Sequence, residues 1–116
     1  MDAERIYRRA ERSFRGLGDM HGLGKTFRVR GNLARERNQF SHANDLYREA
    51  TALLRSTDDE LELAYTLEDW AKLLLFQGAA REARRVLAQA LSCIIVDGVA
   101  IYPTTVAHFL GLWASC

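Results

Sequence analysis

Apolar residues recur at intervals of three and four along almost the whole chain, and the pattern resolves into six stretches. In residues 2–15 the set Ala3, Ile6, Tyr7, Ala10 and Phe14 falls on one side of a helix, with Arg5, Arg8, Arg9, Arg12 and Arg15 on the other. Similar stretches run from about 22 to 37, then 41–55, 59–77, 80–95 and 104–115. The spacing therefore predicts six helices joined by short turns, an all-α chain. Turn chemistry supports these limits. Thr57-x-x-Glu60 fits a capping box, and Asp58, Asp59 and Glu60 suit the positive end of a helix. Gly78 stands where one helix must stop and reverse, and Pro103 is placed to open the last helix.

The six stretches also repeat. Ala3, Tyr7 and Ala10 recur 40 residues later as Ala43, Tyr47 and Ala50, and again as Ala83, Leu87 and Ala90. Phe14, Leu54 and Ile94 keep the same offset, as do Gly31, Ala71 and Gly111, and Leu33, Leu73 and Trp113. Gly18, Asp58 and Gly98 complete the register. Small residues at fixed positions allow helix axes to approach within about 8–10 Å. The repeat thus pairs a first helix with a second helix that closes on it. Residues 1–16 form a half repeat of the second type, 22–55 and 59–95 form full repeats, and 104–116 forms a half repeat or cap of the first type.

This pattern resembles the tetratricopeptide repeat over nearly the whole chain. That family's second helix places an aromatic between two alanines, matched by Ala43, Tyr47 and Ala50, with Leu87 replacing the aromatic in the next copy. Its first helix carries a large apolar residue and then a small one, as in Phe27 with Gly31 and Leu67 with Ala71, and more loosely Ala107 with Gly111. The 40-residue period exceeds the usual length of about 34, and the proline expected at the end of the second helix is missing. The longer form resembles repeats of bacterial signal-responsive regulators. The resemblance implies one domain over residues 1–116, a right-handed solenoid of stacked antiparallel hairpins. It also implies a non-catalytic protein–protein interaction scaffold, a module of a regulatory protein, with the first helices lining a groove for a protein or peptide. In this sequence the groove positions are Lys25, Arg28, Asn32 and Arg35, then Tyr65, Glu68, Lys72 and Phe76. Arg28 and Asn32 resemble part of a carboxylate clamp, but Asp69 and Thr105 stand where its remaining asparagine and lysine belong, so no such clamp is expected.

Charge adds a polarity to this picture. Residues 1–40 hold ten basic against five acidic residues, 41–80 three against eight, and 81–116 three against two. The arginines of residues 5–15 are an alternative, nucleic-acid-binding surface, offset by Glu4 and Glu11; a solvated helix face is the simpler reading. Gly16 to Thr26, GLGDMHGLGKT, imitates a phosphate-binding loop, yet Asp19 occupies the place of its first glycine and helical patterns flank it. The run is read as a turn between helices, and no cofactor is expected. His21, His42 and His108 lack companions at ligand spacing, so no metal is expected, and no catalytic constellation stands out. Cys93 and Cys116 are too few for a disulfide framework, which points to the cytoplasm. The uncharged segment 98–114 is too short, and interrupted by Pro103, to be expected in a membrane. Its apolar character, with Val106, Phe109, Leu110, Leu112 and Trp113, instead suits a contact with a second copy.

Overall fold

The structure is a computed structural model that describes residues 2–96, 99–100 and 103–114, and of these not the side chains of 96, 99, 100 and 103–107. Gly98, Cys116 and the side chains of Thr105, Val106 and Ala107, which the sequence reading used, lie outside that description. Among the described residues there are six helices: α1 (Ala3–Leu17), α2 (Met20–Glu36), α3 (Phe40–Leu54), α4 (Glu60–Phe76), α5 (Ala80–Ile94) and α6 (Pro103–Ala114). Where the apolar pattern predicted only a turn, β1 (Ile95–Val96) pairs antiparallel with β2 (Val99–Ala100) in a short ribbon. The chain divides into two compact units, Met1–Asp59 and Glu60–Cys116.

The turns explain why the helices end where they do. Three of them close with a residue in the left-handed region: Gly18 at φ 69°, Asn38 at φ 61° and Gly78 at φ 79°. At each, the following N–H reaches back to the carbonyl five residues earlier, Asp19 to Phe14 at 2.9 Å, Gln39 to Ala34 at 2.8 Å and Ala79 to Leu74 at 2.8 Å. These bonds satisfy carbonyls that a helix end would otherwise leave unpaired. Asp2 and Asp19 cap α1 and α2 by accepting the N–H of Glu4 and Gly22. The expected capping box at Thr57 does not form. Helix α4 begins at Glu60, too late for Thr57 to be its cap. The Thr57 hydroxyl instead donates to the Leu54 carbonyl at 2.7 Å, finishing α3, and accepts the Asp59 N–H at 3.3 Å.

In the first unit α2 is the central helix. Moving along it from Gly24 to Gly31, the facing residue on α3 moves backwards from Leu54 to Tyr47, so the two helices run antiparallel. The approach is close. A Cβ at Gly31 would lie 2.7 Å from a ring carbon of Tyr47, and one at Gly24 would lie 2.7 Å from Leu54. Gly22 meets Phe14 of α1 at 2.6 Å in the same way. Gly22 and Gly24 are therefore helical close-approach residues, and the turn expected for the whole glycine run shrinks to Gly18 and Asp19. With no side chain at Gly31, the Tyr47 ring is fully enclosed and its hydroxyl donates to Asn32 Oδ1.

In the second unit α4 packs along α5, and α6 adds to α5. Leu67, Ala71, Leu73, Ala83, Leu87, Ala90 and Ile94 are sealed between them. Each fully buried leucine or isoleucine contributes about 1.5–3 kcal/mol relative to exposure. The second-helix positions Ala43, Tyr47 and Ala50 in one unit and Ala83, Leu87 and Ala90 in the other are all fully buried, as a hairpin repeat requires.

Candidate interaction faces

Lys25, Arg28, Asn32 and Arg35 are three or four residues apart on α2, which places them along one side of that helix. Lys25 is exposed, while Arg28, Asn32 and Arg35 are half-buried. Asn32 is partly committed, because its carbonyl oxygen accepts from the Tyr47 hydroxyl. The result is a cationic helix face whose asparagine steadies the aromatic beneath it.

On α4, Tyr65, Glu68, Lys72 and Phe76 follow the same spacing, but they do not share one environment. Glu68 departs from the expectation of an open groove position, since its side chain is only 7% exposed. Lys72 Nζ lies 3.1 Å from its Oε1, and His108 Nε2 of α6 lies 3.0 Å from its Oε2. The second contact has ion-pair distance without hydrogen-bond alignment. Phe109 of α6 is fully buried and meets the Tyr65 ring edge-on at 6.2 Å. Helix α6 thus covers the first half of this face through Tyr65 and Glu68. The second half remains open, with Lys72 exposed and Phe76 73% exposed. An exposed aromatic one helical turn from a lysine is suited to a partner with apolar and acidic groups.

A charged arrangement that the sequence reading missed lies in the first unit. Arg30 on α2 is buried, and its guanidinium donates to two carboxylates of α1: to Glu4 Oε1 at 2.7 and 3.0 Å, and to Glu11 Oε2 at 2.8 Å. It also stacks 5.5 Å from the centre of the Phe27 ring. The signal was present in the sequence, since Arg30 occupies the apolar stripe defined by Phe27, Gly31 and Ala34. A charge at such a position requires a buried partner. Beside this triad, Arg8 and Arg15 of α1 face His42, Asp45 and Glu49 of α3 across a trough of about 490 Å³ floored by Phe27, Arg30 and Leu46.

Arg5, Arg8, Arg9, Arg12 and Arg15 are all exposed. Arg15 pairs with Glu11 at 3.2 Å, and Arg8 stands 3.8 Å from Glu4. Among the histidines, His21 Nε2 lies 2.6 Å from Asp59 Oδ2, His42 lines the trough and His108 faces Glu68. The half-buried Cys93 thiol donates to the Gln89 carbonyl at 3.3 Å. Asp19 caps α2, and the segment before it is helix and not strand, so the GLGDMHGLGKT run lacks the geometry of a phosphate-binding loop. Among the described residues no helix is long and apolar enough to cross a membrane. No family model and no curated protein matches the chain.

Proposed function

We propose that the chain is a tetratricopeptide-like interaction module of a regulatory protein, acting without catalysis in the reducing cytoplasm and binding a protein or peptide segment. The observation that carries this reading is the presentation of side chains on the first helix of each hairpin. Lys25, Arg28 and Arg35 stand on α2, and Lys72 and Phe76 on α4, while the small residues Gly24 and Gly31 of α2 and the buried Ala71 of α4 let those helices close into their hairpins. Charged and aromatic groups on a rigid helix can recognise an extended or helical segment at low ordering cost. Peptides selected from a random-sequence display library against the full chain supply the test. Binders should lose affinity by about tenfold or more, or about 1.4 kcal/mol, against Lys25→Glu/Arg28→Glu or against Lys72→Glu/Phe76→Ser. Selected binders indifferent to both variants would contradict the reading.

The five exposed arginines of α1 support a second reading, a nucleic-acid-binding surface. It requires affinity for oligonucleotides that falls steeply with salt and disappears when Arg5, Arg9 and Arg12 are changed to glutamine. Absence of binding at low salt would remove it.

A further inference from the structure

The repeat allows the same position to be compared three times in one molecule. Ile6, Leu46 and Val86 are equivalent across the 40-residue register. Leu46 is 4% exposed and Val86 is 8% exposed, but Ile6 is 48% exposed. Ala3 and Ala10 are only half-buried, whereas their counterparts Ala43, Ala50, Ala83 and Ala90 are fully enclosed. No residue of α1 is buried. The cause lies in which sides of the helix are used. Helix α1 packs on α2 through Phe14, Glu4 and Glu11, leaving open the strip of Ala3, Ile6, Ala10 and Leu17. In α3 the matching residues Ala43, Leu46 and Ala50 are buried, α3 packs along the first-type helix α2, and Leu46 adjoins Phe27 and Arg30 of that helix.

Helix α6 shows the converse. It is a first-type helix by register, and its sequence, PTTVAHFLGLWA, contains no lysine, arginine, aspartate or glutamate. An uncharged helix of this kind is at home only when buried on most sides. Yet Leu110 is 50% exposed, and Ala114 is exposed where its counterparts Ala34 and Leu74 are 3% and 6% exposed. Those counterparts belong to α2 and α4, the first-type helices that α3 and α5 pack along. One end element therefore presents a strip fitted to a first-type helix, and the other presents a first-type helix with an uncovered apolar side.

We propose that the chain associates head to tail with a second copy of itself, α6 of one copy packing on the Ala3–Ile6–Ala10 strip of α1 of the next as α2 packs on α3. The contact is heterologous, using two different surfaces. It does not depend on whether α2 and α4 bind a partner, because it uses other faces.

This asymmetry gives a decisive test by sedimentation of the full chain over a wide concentration range. Ile6→Arg spoils only the α1 surface and Leu110→Arg only the α6 surface; both sites are about half exposed, so the fold should tolerate the charge, checked by helical circular dichroism. Wild type should grow in mass with concentration. Each variant alone should remain monomeric, and an equimolar mixture should form a dimer of twice the monomer mass that grows no further. Ile6→Ser and Leu110→Ser, which overpack nothing, should weaken association in the same sense. Wild type that stays monomeric, an Ile6→Arg variant that still associates, or a mixture that stays monomeric would each overturn the proposal.

Discussion

Replacing Gly31 with alanine tests the packing of the first hairpin, because one methyl group is asked to enter a space already occupied. The new carbon would lie 2.7, 2.9 and 3.2 Å from three ring atoms of Tyr47. Carbon atoms settle at about 3.5–4.0 Å, so the ring would have to retreat by several tenths of an ångström. It has little freedom to do so, being fully enclosed and tied through its hydroxyl to Asn32. Overpacking of this kind costs about 1–3 kcal/mol. Against it stands the gain of about 1 kcal/mol from exchanging glycine for alanine inside a helix. The clash should win, giving a net loss of about 1 kcal/mol. Gly16 is the matched control: it is helical and exposed, and nothing lies within 4 Å of its Cβ position. Gly16→Ala should stabilise by about 0.5–1 kcal/mol, the helix term alone. Urea unfolding followed by far-ultraviolet circular dichroism is the suitable assay, since both glycines lie in the first unit and both tryptophans, Trp70 and Trp113, lie in the second. If the two substitutions shift the midpoint in the same direction by similar amounts, the close approach of α2 to Tyr47 is wrong.

Three further expectations follow from individual residues. Arg30→Met should destabilise the first unit by about 2–3 kcal/mol, because Glu4 and Glu11 lose a buried cation while staying partly hydrated; adding Glu4→Gln and Glu11→Gln to that variant should recover part of the loss in the same urea assay. Thr51 is buried and its hydroxyl has no hydrogen-bond partner. Thr51→Val should therefore raise stability, by about 1 kcal/mol, and a loss of similar size would show that the hydroxyl is satisfied in solution. Ala79 holds the N-cap position of α5 without a capping side chain, so Ala79→Asp should raise the melting temperature of the second unit through about 1 kcal/mol.

The extent of the helices was legible because apolar spacing and small-residue register are local signals. Predicted stretches 22–37, 41–55 and 80–95 became Met20–Glu36, Phe40–Leu54 and Ala80–Ile94. Gly78 was read correctly for the same reason, as its left-handed conformation is nearly a property of the residue. Asn38 performs the identical task without a comparable sequence signal, because asparagine enters that region only when a turn holds it there. Thr57 matched a capping motif by spacing, but a cap is defined by where the helix starts, and α4 starts at Glu60, two residues later than a cap at Thr57 requires. The β-ribbon consists of two-residue strands, too short for an alternating pattern to stand out against helical periodicity. Glu68 and Arg30 were the hardest to place. Whether a charge on a helix faces water or a partner depends on which distant helix covers it, and His108 and Glu4 lie 40 and 26 residues away.

The central claim is that two hairpins share one 40-residue register, with a small residue of the first helix facing a large residue of the second. A nuclear Overhauser spectrum of the full chain tests it most directly. Cross-peaks from the Tyr47 ring protons to Gly31 Hα in the first unit, and from the Leu87 methyls to the Ala71 methyl in the second, are the predicted result. Intact helices in which either pair is silent, with Tyr47 or Leu87 showing cross-peaks to another side of α2 or α4, would contradict the repeat.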